Sequence, residues 1–72
     1  MAVLVQVTGS LRSHVPAGVT LDDVHTVGEA VERLHLPATE GLAMLVNGRL
    51  AHWATPLQDG DTLQLIPALA GG

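Results

Sequence analysis

Few residues of this chain could do chemistry, and their spacing narrows the options further. The histidines, His14, His25, His35 and His52, stand ten or more positions apart. No pair therefore has the i, i+4 spacing that sets two imidazoles on one helix face, no cysteine cluster accompanies them, and a metal site is not expected. Asp59 and Asp61 flank Gly60. Paired carboxylates can serve as general acid and base, but Asp-Gly-Asp is also the composition of a tight turn, which is its expected role here. Cysteine is absent, which removes disulfides, thiolate ligands and a cysteine nucleophile together. With no nucleophile–base pair in view, the chain is not expected to be an enzyme acting alone. What remains is the end of the sequence, Pro67-Ala68-Leu69-Ala70-Gly71-Gly72. Glycine has no Cβ, so a Gly-Gly end can pass through a narrow channel, leaves its carbonyl unhindered and lets a partner's backbone come close. The group on offer is a carboxylate, a poor electrophile that must be activated before anything can attack it.

The bulk composition sets the stage for that end. At 72 residues the chain makes one domain, near the lower size limit for a self-sufficient core. Hydrophobic residues make up 47% and the only aromatic is Trp53, so Val, Leu, Ile and Ala must fill the interior. Trp53 itself is expected to be partly buried, as a core plug or a docking contact. The net charge is −4, with three arginines (Arg12, Arg33, Arg49) and no lysine. An acidic surface without stacking aromatics disfavours nucleic acid and suits a partner with a basic docking face. No apolar run approaches the roughly 20 residues needed to cross a bilayer, and the start "MAVLVQVTGS" lacks the basic region of a signal peptide. No membrane association is expected, and the expected location is the cytoplasm.

The elements that must hold the tail can be read from periodicity. Residues 3–8 alternate Val3, Val5 and Val7 against Leu4, Gln6 and Thr8, a strand with one fully apolar face. Residues 9–18 are rich in turn formers, and residues 19–23 put Val19 and Leu21 on one side of a short second strand. Val27, Ala30, Val31 and Leu34 fall at i, i+3, i+4 and i+7, the stripe of a helix near residues 27–36. Thr26 with Glu29 fits a capping box at its start, and Pro37 is expected to end it. Asn47-Gly48 between apolar stretches predicts a hairpin with a type I′ turn. Residues 62–66 form the last strand, with Leu63 and Leu65 facing the helix and Gln64 and Ile66 facing away. The order β-β-α-β-β-β with one helix on one face of the sheet is an α+β arrangement. The expected division is a domain over residues 1–66 and a C-terminal tail over 67–72.

Residues 56–72, "PLQDGDTLQLIPALAGG", resemble the C-terminus of the small ubiquitin-like sulfur carriers, a family that includes the small subunit of molybdopterin synthase and the thiamine-pathway sulfur carrier. The shared pattern is Leu57, the Gly60-Asp61 turn, the apolar strand 63–66, Pro67 and the terminal Gly71-Gly72. "VNG" at 46–48 and "TV" at 26–27 also match, and the resemblance covers essentially the whole chain. Pro67 and Leu11-Arg12 look more like the molybdopterin synthase subunit, although that subunit often has phenylalanines where this chain has Val5 or Val7 and Ile66. The resemblance implies a β-grasp fold, a mixed sheet of four to five strands with one main helix. It implies that a ubiquitin-activating-type adenylyltransferase uses ATP to adenylate the carboxylate of Gly72, and that a sulfur donor protein's persulfide then displaces AMP. The product would be a thiocarboxylate delivered to an acceptor enzyme such as the molybdopterin synthase large subunit or thiazole synthase. The chain itself would bind no cofactor. Gly71, Ala70 and Leu69 would thread into the partner, with Ile66 and Pro67 docking beside them. The receiving pathway stays open between molybdenum or tungsten cofactor, thiamine and tRNA thiolation. Two other readings remain: a modifier conjugated to lysines, and a plain β-grasp interaction module.

Overall fold

The computed structural model describes residues 2–9, 18–36 and 41–67. The elements run β1 (Ala2–Val7), β2 (Gly18–Asp22), α1 (Val27–Leu34), β3 (Leu42–Val46), β4 (Arg49–Ala51) and β5 (Thr62–Pro67), the order expected from the sequence. They form one five-stranded sheet in the order β2-β1-β5-β3-β4. β1 and β5 pair in parallel in its middle, and the other neighbours are antiparallel. α1 lies on one face. Val3, Val5, Leu63 and Leu65 are fully buried beneath Val27, Ala30 and Val31 of the helix, with Val7, Val24, Met44 and Leu57 completing the core. Among the described residues, Val, Leu, Ala and Met alone build the interior.

The start of α1 is held on both sides. Thr26 Oγ1 accepts the N–H of Glu29 at 3.2 Å, the expected cap. The reciprocal half of the box falls one residue early, with Glu29 Oε1 accepting the N–H of His25 at 2.9 Å. The two remaining orphan donors reach across the molecule, Val27 N–H to the carbonyl of Thr55 and Gly28 N–H to that of Trp53. The N–H groups of Val27, Gly28 and Glu29 are therefore satisfied, and the segment after β4 is stapled to the helix.

Other boundaries differ from expectation. α1 stops at Leu34 rather than running to residue 36. His35 turns left-handed (φ 52°, ψ 48°) and its N–H bonds to the carbonyl of Glu32, so the helix ends by its own cap before Pro37 can act. Pro37 lies outside the described residues. β5 runs one residue further, through Pro67 opposite Leu42. Asn47 and Gly48 both have positive φ (52° and 84°), as a type I′ hairpin turn requires.

The root of β5 is clamped from two directions. Asn47 Nδ2 donates to Asp61 Oδ1 at 2.9 Å, Asn47 Oδ1 accepts the N–H of Thr62 at 2.9 Å, and Asp61 Oδ2 accepts the N–H of Gln58 at 2.8 Å. On the other side Asp59 Oδ1 accepts the N–H of Ala2 at 2.7 Å, and Gly60 N–H bonds to the carbonyl of Ala2. The Asp-Gly-Asp triplet is turn chemistry, as its composition suggests, and it fastens the turn to β1 and to the hairpin.

Two outcomes follow from these contacts. Thr26→Ala is expected to cost about 1 kcal/mol, a fall of roughly 4–8 °C in melting temperature for a domain of this size. Asp61 is held below its ordinary value of 3.8 by the Gln58 N–H first and the Asn47 amide second. Its contribution to stability is therefore complete above that ordinary value and is lost as the pH falls through the lowered one. Denaturant midpoints of the wild type and Asp61→Asn should lie apart at pH 7 and converge below about pH 4; a gap independent of pH would assign the clamp to shape alone.

Candidate functional site: the open sheet face and the root of the tail

β5, the middle strand of the sheet, ends at Pro67, where the tail begins. Because Leu63 and Leu65 point into the core, alternation turns Gln64 and Ile66 to the uncovered face. Ile66 stands opposite Ala43, and Gln64 opposite Leu45 and beside Gln6. Leu45 in turn faces Leu50, which is 81% exposed. Thr20, Leu4 and Thr62 form the neighbouring row. Ile66, Ala43 and Leu45 are half-buried, yet none of them belongs to the set packed against the core. These central rows carry no charged side chain, although the protein as a whole is at −4. Depletion of charge around an apolar centre is the composition of interface cores.

Pro67 faces the other way. Its register partner Leu42 lies on the helix side and packs against the core. Its ring approaches Gly9, where a Cβ would come within 3.2 Å of Pro67 Cγ. Gly9 also has φ 62°, so glycine is required there twice over. Ile66 and Pro67, both expected at the docking surface, thus adjoin in sequence but point to opposite faces. Leu69, Ala70, Gly71 and Gly72 lie outside the described residues. The six residues from Pro67 span at most about 20 Å when extended.

The other groups singled out from sequence are not brought together. His25 sits between Asp23 (3.8 Å) and Glu29 (3.5 Å) on open surface, His35 caps α1 and His52 follows β4. His14 lies outside the described residues. Among the described residues no group of three or more histidines and carboxylates could hold a metal ion, and no helix is long and apolar enough to cross a membrane. Asp59 and Asp61 are occupied by backbone donors and the Asn47 amide. Trp53 keeps 44% of its surface exposed and plugs no part of the core. Sequence reasoning missed Ala43, Leu45 and Leu50. The signal was present: about a type I′ turn at Asn47-Gly48, Leu45 must pair with Leu50, and a single helix cannot cover both faces of the hairpin.

The comparisons with known proteins agree with this geometry. The model of the ThiS family matches residues 5–72. No curated protein sequence matches the chain at a significant level. Among solved structures, the chain is similar to SAMP1, a small archaeal modifier protein of Haloferax volcanii, at 23% identity over 100% of both chains with a TM-score of 0.81. It is similar to Urm1 of Trypanosoma brucei at 24% identity, over 99% of this chain and 95% of that one, with a TM-score of 0.74. It is also similar, at 23% identity over 100% of both chains and a TM-score of 0.70, to a chain from the protein–protein complex of subunits 1 and 2 of the molybdopterin-converting factor of Helicobacter pylori. The sheet order, the single helix and the family match over residues 5–72 lead to one conclusion: the chain folds as a ubiquitin-like β-grasp domain and belongs to the ThiS family of small ubiquitin-like sulfur carriers.

Proposed function

We propose that the carboxylate of Gly72 is the working group, and that the chain carries sulfur on it as the small subunit of a molybdopterin synthase. The observation that carries this reading is the position of β5, whose root is clamped, whose centre is core and which ends with Ile66 on the open face and Pro67 at the start of the tail. In this reading an activating enzyme lets a Gly72 oxygen attack the α-phosphorus of ATP, expelling pyrophosphate. The acyl-adenylate then loses AMP to a persulfide sulfur of a donor protein. Thiol cleavage of the resulting S–S bond leaves the thiocarboxylate. The domain contributes no acid, base or nucleophile to these steps. Its tasks are to dock by the face around Ile66, Leu45 and Leu50 and to deliver Gly72 at a fixed reach.

The neutral apolar face beside the tail root supports a protein partner, and a large subunit is the partner class that a small synthase subunit needs. Subunit 1 of the Helicobacter pylori factor forms a complex with its subunit 2. A second reading is a modifier joined to lysines, a use suggested by the name of the archaeal neighbour. Activation would be identical and only the acceptor would change, so intact-mass analysis of the cellular pool separates the two. This chain contains no lysine, so lysine-linked chains of it cannot form.

Two measurements test the main reading. Incubation with the cognate activating enzyme, ATP and a sulfur donor should raise the intact mass by the difference between sulfur and oxygen. Deleting Gly72 should abolish that gain without changing the melting temperature, because misplacing a reacting group costs orders of magnitude in rate while a chain end adds little to folding. An unchanged wild-type mass, or equal thiolation of the deletion, would overturn it. Ile66→Arg should weaken binding of the large subunit at least about tenfold while shifting stability by no more than about 0.5 kcal/mol. A collapse in melting temperature would make Ile66 a core residue instead.

A further inference from the structure

The chain has a single aromatic residue, and the fold leaves much of it on the surface. Trp53 is 44% exposed, although no other side chain here has so much apolar area to bury. Its backbone is fixed, because the Trp53 carbonyl accepts the N–H of Gly28 at 2.9 Å. Its ring lies against the same glycine, where a Cβ would meet the carbonyl oxygen at 3.1 Å and ring atom Cε3 at 3.5 Å. One turn further along α1, Val31 and Glu32 continue this side of the helix, and His35 and Leu36 close it. With Trp53 they line a groove of about 370 Å³.

The charges around the groove are unequal in their commitments. Glu29 is engaged by the N–H and ring of His25. Arg33 reaches back to the carbonyls of Asp22 and Asp23. The Glu32 carboxylate makes no hydrogen bond or ion pair among the described residues. His35 is the other titratable group on the lining. The groove thus combines an open indole, an uncommitted carboxylate and an aliphatic floor of Val31 and Leu36, in a protein of net charge −4.

We propose that this groove receives an arginine side chain from a protein partner. A guanidinium stacks flat on an indole while its N–H fork meets a carboxylate. The aliphatic stem of an arginine suits an apolar floor. A lysine ammonium would reach the carboxylate but could not stack. The groove lies on the helix layer, whereas Ile66, Leu45 and Leu50 lie on the opposite face of the sheet. A protein held here leaves the sheet face free, so the domain can be gripped by one partner while it presents its other face to a second. The inference concerns a different surface from the tail and stands whatever Gly72 carries.

The test titrates the whole chain at low salt with a capped tri-arginine peptide, using the tri-citrulline peptide as the uncharged isostere. Trp53, as the only tryptophan, reports its own groove by fluorescence, and the amide resonances of Gly28 and Glu32 report it independently. The arginine peptide should produce a saturable change at all three, and the citrulline peptide none. Glu32→Gln, read by fluorescence, and Trp53→Leu, read by the amides, should each weaken binding about three- to fivefold. Asp22→Asn, which removes an equal charge elsewhere on the surface, should leave it unchanged. The proposal is overturned if citrulline binds equally, if Asp22→Asn weakens binding as much as Glu32→Gln, or if the shifts map to Leu45, Leu50 and Gln64 instead.

Discussion

The parallel pairing of β1 with β5 is the constraint that the rest of the molecule answers to. These two strands occupy the centre of the sheet, and between them they supply Val3, Val5, Leu63 and Leu65, all without solvent exposure. Their register is held at one end by the bonds joining Ala2 to Asp59 and Gly60 and at the other by Thr8 N–H to the carbonyl of Leu65. A slip of one residue would turn Leu63 and Leu65 outward and push Gln64 and Ile66 under the helix. The same register that builds the core therefore decides which side chains stand on the open face and where the tail leaves the sheet.

A single helix over five strands also accounts for the surfaces. α1 buries Val27, Ala30 and Val31 on one layer, and among the described residues no element covers the other. The apolar residues there are spaced among amides and hydroxyls rather than massed: Leu4 and Leu50 are exposed, while Ala43, Leu45 and Ile66 are partly shielded by their neighbours. That mixture lets the face remain in water as a free surface and still lose water readily against a complementary one. On the helix layer the segment after β4 has its carbonyls tied to the first turn of α1. Trp53 is held in place by that tie rather than by burial.

Much of this was legible in the sequence, and the misses have physical causes. The helix start could be read because a cap is a local matter: Thr26 and Glu29 declare it within four residues. The Asn47-Gly48 turn could be read for the same reason. The helix end could not. A left-handed histidine leaves no compositional trace, and the proline beyond it offered a more conspicuous stop. Nor could the sheet order be read, since the bond between the first and last strands joins residues about as far apart as the chain allows. The candidate site divides along the same line. Ile66 was placed on the correct face by alternation alone, whereas Ala43 and Leu45 join it only through the β3–β5 register.

The position of β5 has a consequence for how the molecule comes into being. β5 is made after every other described strand, yet it lies at the middle of the sheet. Until it emerges from the ribosome, β1 with β2 and β3 with β4 are two hairpin-like halves with no common core. Closing them needs the longest loop in the chain, a step whose entropy cost slows folding. An interrupted chain that stops before Thr62 would have neither core nor open face. Synthesis and docking competence are thereby coupled: the strand that completes the fold is the one that leads into the tail, so a truncated product has nothing with which to compete for a partner.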